Sequence, residues 1–157
     1  MECTGDDLAG IVDLFGGLSR DTLATALVEL AFKQGEDAEP SAFEVEIDAA
    51  LREYELVELE PTREETLLVA GPAAFPMLPE EAEDLHHILD AEQREIDRAE
   101  AGTAAADKLH RDAVGAINAG DSAEMQRLID LSYDIEAWAP VDLSETRDRL
   151  DDELSTE

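Results

Sequence analysis

Positive charge is what this chain has least of. It carries 11 Lys plus Arg against 41 Asp plus Glu, a formal net charge of -30. Lys33 and Lys108 are its only lysines. Nucleic-acid binders neutralise phosphates with Lys and Arg, so contact with nucleic acid is disfavoured. Cysteine is nearly missing too. Cys3 stands alone, which excludes an intrachain disulfide and cannot build a zinc site by itself. No apolar run approaches the roughly 18 residues of a membrane span. The acidic start, with Glu2, Asp6 and Asp7, is unlike a signal peptide, so a cytoplasmic location is expected. Gly-x-x-x-x-Gly-Lys, Gly-x-Gly-x-x-Gly and Gly-x-Ser-x-Gly are all absent, which removes the phosphate loop, the dinucleotide fingerprint and the nucleophile elbow.

What is present is a full apolar complement, 44% of residues, with aromatics at only 4%. Leu, Ile, Val and Ala must therefore fill a core large enough for one domain or two small ones. The acid is spread evenly: 18 acids against 4 bases in residues 1–75, and 23 against 7 in residues 76–157. Acidic interaction tails gather their charge in runs. An even spread over a packed core instead suits a solvent of about 1 M salt, where the Debye length falls to roughly 3 Å. The acidity then describes the solvent and not the partners.

The apolar pattern begins as helices. Leu8, Ile11, Val12 and Phe15 share one face and Gly16-Gly17 ends it. Ser19 caps a second helix with Leu23, Leu27, Leu30 and Ala31 inside and Gly35 as its stop. Ser41 and Glu44 have capping-box spacing before a third helix whose face holds Phe43, Ile47, Ala50, Leu51 and Tyr54. The period then switches to that of strands. Residues 55–59 and 66–70 flank a polar stretch and read as a hairpin. Three helices and a hairpin are the element order of a winged-helix domain, placed at residues 1–71.

Residues 72–79 hold three prolines and read as a stiff connector that packs Phe75 and Met77 onto something. Residues 80–157 read as a helical region. Pro79 suits a helix start, Leu85, Ile88, Leu89 and Ile96 make a stripe, and Gly102 leaves open whether one helix or two continue to Gly120. Asp121 and Glu124 start another helix, stopped by Pro140. The last one is marked by Leu143, Leu150 and Leu154. The expected fold class is mainly α with a small β-hairpin.

Candidate chemistry is thin. His86 and His87 point about 100° apart on a helix, and Glu83 with His87 supplies too few ligands for a metal. No carboxylate is singled out by an apolar setting as a general acid. No cofactor and no catalytic residue is expected. The third helix, which a winged helix would present to DNA, offers Glu44, Glu46, Asp48 and Glu53 beside Arg52. Arg20, Arg52 and Arg63 are the nucleic-acid contacts that reading would use. Leu143, Leu150 and Leu154 form a stripe that suits either core packing or a protein interface.

The run Leu68-Val69-Ala70-Gly71-Pro72-Ala73-Ala74-Phe75-Pro76-Met77-Leu78-Pro79, with Glu83-Asp84-Leu85 after it, resembles an uncharacterised haloarchaeal family. Val12-Asp13-Leu14-Phe15-Gly16-Gly17-Leu18 and Glu29-Leu30-Ala31-Phe32-Lys33 are similar to its N-terminal half. The resemblance implies a salt-loving origin and a shared fold, and no activity. The leading expectation is a non-enzymatic interaction module that binds a protein partner or forms a homodimer. The alternative is a winged-helix transcriptional regulator.

Overall fold

The computed structural model describes residues 3–62, 65–79, 82–89, 91 and 93–156. The chain is mainly α-helical with one small antiparallel hairpin. It divides into two compact units, Met1–Ile96 and Asp97–Glu157.

The first unit opens with α1 (Gly5–Phe15), begun by a capping box in which Thr4 and Asp7 satisfy each other's backbone N–H groups. Leu8, Ile11, Val12 and Phe15 are fully buried on its inner face. Each contributes about 1.5–3 kcal/mol of burial. Ser19 caps α2 (Arg20–Lys33) through the Thr22 N–H, and Gly35 follows at φ +82. The capping box expected at Ser41 does not form. Residues Pro40–Phe43 make a tight 3-10 turn, and α3 (Glu44–Arg52) begins without a side-chain cap. The proline at the first position favours that tighter start.

α3 ends in a Schellman closure. The Glu55 N–H reaches the Ala50 carbonyl at 2.9 Å, and Tyr54 takes the left-handed position at φ 62. Glycine normally fills that position. Here the Tyr54 side chain is completely buried, and its packing offsets the backbone cost.

Strand β1 (Leu56–Thr62) pairs antiparallel with β2 (Glu65–Ala70), Val57 opposite Val69 and Leu59 opposite Leu67. The strands reach further into the polar stretch than expected, and the register shifts between Leu59 and Thr62. Leu67, Leu68 and Val69 are buried in succession, so both faces of β2 are covered. The chain between α1 and α2 adds a bridge to β2. Leu18 and Leu68 exchange both backbone hydrogen bonds, at 3.1 and 2.7 Å.

The proline-rich run lies inside the first unit, and Ala82 and Leu85 after it join the same core. The long helix expected from Pro79 onward is a 3-10 turn at Ala82–Asp84 followed by α4 (Leu85–Ile88). The described residues from 89 to 97 are not helical. One backbone hydrogen bond and one close backbone approach, both at Arg94, mark that path. The Arg94 N–H donates to the Phe15 carbonyl at 2.8 Å, and its own carbonyl lies where a Cβ on Gly16 would sit.

The second unit is α5 (Arg98–Ala119), α6 (Ser122–Trp138) and α7 (Ser144–Ser155). α5 runs unbroken through Gly102, where any side chain would meet the Ala139 Cβ at 2.5 Å. Ala101, Ala105, Leu109 and Ala113 are buried on α5, and Met125, Leu128 and Ile135 on α6. Gly120 in the left-handed conformation and the Asp121 cap turn the chain between them. Arg147 of α7 reaches the Glu136 carboxylate and the buried Ser132 hydroxyl, each at 2.9 Å, and so ties α7 to α6.

Candidate functional site

The surface most unlike its surroundings is the strap formed by residues 74–79. Its backbone is tied to α1 at Phe75 and Met77, Ala74 and Pro79 are half-buried, and the side chains of residues 75–78 are exposed. The Phe75 N–H donates to the Asp6 carboxylate at 2.9 Å, and the Met77 N–H to the Asp6 carbonyl at 3.0 Å. Gly10 of α1 lets the strap lie flat, since a Cβ there would run into the Met77 carbonyl. Just upstream, Gly71 and Ala73 donate to the Glu55 and Tyr54 carbonyls. Pro72, Pro76 and Pro79 restrict the remaining torsions.

On this fixed backbone Phe75 is 79% exposed, Met77 58% and Leu78 44%. The expectation that Phe75 and Met77 would pack down is thus corrected. Backbone hydrogen bonds and the bare surface of Gly10 hold the strap, so its side chains are left pointing away. Three neighbouring large apolar groups held in solvent have the character of an interaction patch.

Acidic side chains lie beside the strap, Asp6 among them. Burial raises the Glu55 carboxyl above its ordinary value, and Asp6 and Glu53 raise it further. Further along the chain Glu83 is exposed, and Asp84 is paired with Lys33 at 3.2 Å. Cys3 is not a reactive thiol. Burial pushes it up to about 11, with Asp7 and Glu46 adding to the shift, so it stays protonated at neutral pH.

The outward residues of α3 include Glu44, Val45, Asp48, Arg52 and Glu53. Arg20 is paired with Asp48 of that helix. Arg52 is exposed at the end of α3, and Arg63 lies outside the described residues. Other arginines are likewise engaged close to home. Arg94 grips Glu65 with both terminal nitrogens, Nη1 at 3.0 Å, and Arg98 lies 4.6 Å over the Trp138 ring.

A cavity of about 330 Å³ in the first unit is lined by Ser19, Thr22, Leu67 and the Arg94–Glu65 pair. Its polar groups are turned on one another: the Ser19 hydroxyl donates to Thr22 at 2.8 Å and accepts from the Thr22 N–H. His87 and His110 are exposed. Among the described residues no group of three or more His, Cys, Asp or Glu is placed to hold a metal ion. Among them, too, no helix is long and apolar enough to cross a membrane.

The leucine stripe of the second unit is divided. Leu143 and Leu150 are buried, and Leu154 is half-buried at the end of α7. Leu150 lies in α7, which packs against α5 and α6, and Leu143 stands at its N-terminus. The strap side chains were legible only as candidates for packing, because apolar letters in a proline-rich run do not say which way they face.

These features define a mainly helical protein with a short hairpin and an exposed apolar strap. The chain belongs to the Family of unknown function (DUF7109), which it matches over residues 6–155. No curated protein and no solved structure matches it.

Proposed function

We propose that this protein is a non-enzymatic interaction module of a salt-rich cytoplasm, and that it works by docking on another protein. The observation that carries this reading is the strap, with Phe75, Met77 and Leu78 exposed on a backbone pinned to α1. A fixed backbone loses little conformational freedom on binding, so apolar contact converts efficiently into affinity. The even acid excess supports the salt-rich setting, because a charge of -30 opposes compactness until it is screened.

The test is co-purification of the tagged protein from its own cells at about 2 M KCl, where its charge is screened. Both bound proteins and bound nucleic acid are identified. A stoichiometric protein partner without discrete DNA supports the module. Enriched discrete DNA fragments overturn it.

That second outcome belongs to the winged-helix regulator, which one specific observation favours. Leu18 adds a bridge to β2, so the order is helix, bridge, two helices and hairpin, as a winged helix would have it. Against it stands the acid on α3. Glu44, Asp48 and Glu53 would face the phosphates, and Arg20 is already held by Asp48.

A further inference from the structure

We propose that Met77 is a modification site for hydroperoxides, and that its sulfoxide turns the apolar strap polar and releases what docks there. The oxidation stands on the strap alone, and the release rests on the interaction-module reading.

The described residues hold three sulfur side chains, Cys3, Met77 and Met125, and Met1 lies outside them. A cysteine reacts with peroxide as its thiolate. Cys3 is half-buried and its thiol is pushed up to about 11, so it offers almost no thiolate at neutral pH. Met125 on α6 is 1% exposed, and peroxide reaches it only when the second unit opens. Met77 is 58% exposed. A thioether has no proton to lose, so access decides its rate.

The step is an oxygen transfer. The Met77 Sδ lone pair attacks one oxygen of hydrogen peroxide, and the O–O bond breaks as the S–O bond forms. The proton of the transferred hydroxyl passes to the departing hydroxide, which leaves as water. Sulfur is oxidised by two electrons and the peroxide is reduced by two.

The way the strap is held makes this a switch and not damage. The Met77 N–H donates to the Asp6 carbonyl at 3.0 Å, the Phe75 N–H donates to the Asp6 carboxylate, and the Met77 carbonyl lies over Gly10. None of these ties uses the thioether. The new S–O group stays in water and costs the fold little. It nevertheless converts an apolar side chain into a polar one, flanked by the exposed Phe75 and Leu78. A partner covering that face would have to bury a strong acceptor.

The test treats the full chain with dilute hydrogen peroxide in about 2 M KCl and follows each methionine by mass spectrometry of its peptides. Met77 sulfoxide should form about tenfold faster than Met125 sulfoxide, or more, because the buried sulfur must wait for opening. The melting temperature in the same salt should not change. Oxidised wild type should leave a hydrophobic-interaction column earlier than untreated protein, while peroxide should not move the retention of Met77→Leu. Equal rates at the two methionines overturn the site. So does a lowered melting temperature when Met77 alone is oxidised, or a wild-type retention that peroxide does not move. For the release, tagged protein captures partners from lysate of its own cells before and after oxidation. Capture by wild type should fall about tenfold, the loss expected from a buried unpaired acceptor. Peroxide should leave capture by Met77→Leu at that variant's own untreated level. A partner held equally before and after wild-type oxidation sinks the release and leaves the interaction module standing. No partner with untreated protein sinks the module, while the oxidation rates and the column still decide the site.

Discussion

The Asp6 carboxylate accepts the backbone N–H of Phe75 at 2.9 Å, while the Asp6 carbonyl takes that of Met77 at 3.0 Å. One residue of α1 thus fixes two amides of the strap. Asp6→Ala removes the first bond and keeps the second. Hydrogen exchange should quicken at the Phe75 amide and stay slow across α5 and α6. The stability cost should be about 0.5–1.5 kcal/mol, the usual net worth of such a bond. Asp6→Asn keeps an acceptor in place and should cost less. Unchanged exchange at Phe75 in Asp6→Ala would show that the bond does not hold the strap.

Gly10 and Gly115 make a matched pair. Both sit inside helices, where alanine is favoured over glycine by about 1 kcal/mol. A Cβ on Gly115 meets nothing within 4 Å, whereas one on Gly10 strikes the backbone of Met77. Gly115→Ala should therefore stabilise the protein by about that amount. Gly10→Ala should instead destabilise it, by about 1–3 kcal/mol for a forced backbone shift. Thermal melts in high salt separate the two signs. Stabilisation by both substitutions would mean that the strap does not lie against α1.

Helices α1 and α2 were legible because their apolar period and stops agree, and α3 from its apolar period alone. Ser19, Gly35, Gly120 and Asp121 each act as their chemistry suggests. The hairpin was legible from the change of period at Leu56. Three features were not. Tyr54 occupies a left-handed corner that sequence assigns to glycine, because only the packing of its ring offsets that conformation. Leu89 and Ile96 continue an apolar stripe at helical spacing, yet the described residues between 89 and 97 are not helical, and Arg94 there is tied to Phe15 and Glu65, far away in sequence. The strap's outward side chains depend on where Asp6 and Gly10 present their backbone, which no local pattern encodes. The Leu143 and Leu150 stripe was readable as apolar, and only the packing of α7 decides that those two side chains are covered.

Two glutamates should respond to pH with opposite signs. Glu136 is held below its ordinary 4.5 by the Leu143 N–H and by Arg147. Its stabilising effect is present above 4.5 and is lost as pH falls through the lower folded value. Glu55 is raised above 4.5 by burial, Asp6 and Glu53, so its effect is full below 4.5 and is lost as pH rises through the folded value. At neutral pH, Glu136→Gln should lower the melting temperature and Glu55→Gln should raise it. Both differences should shrink toward zero in acid. Urea unfolding of each variant across pH in constant salt reads the two slopes. Slopes of the same sign would remove one of the two assignments.

The charge itself makes the last prediction. With -30 on 157 residues, repulsion acts over about 10 Å at 0.1 M salt and about 3 Å at 1 M. Stability should climb steeply across that range, because the folded state crowds charges that the unfolded chain spreads apart. Screening depends on ionic strength and hardly on ion identity, so NaCl and KCl at equal concentration should give the same rise. Sucrose, which favours burial without screening, should give much less at low salt. Melting temperatures in the three cosolutes distinguish the causes. A rise in sucrose as large as that in KCl would mean that a weak core, rather than charge, limits the protein in dilute buffer. The even spread of acid over both halves of the chain would then lose its meaning as an adaptation to salt.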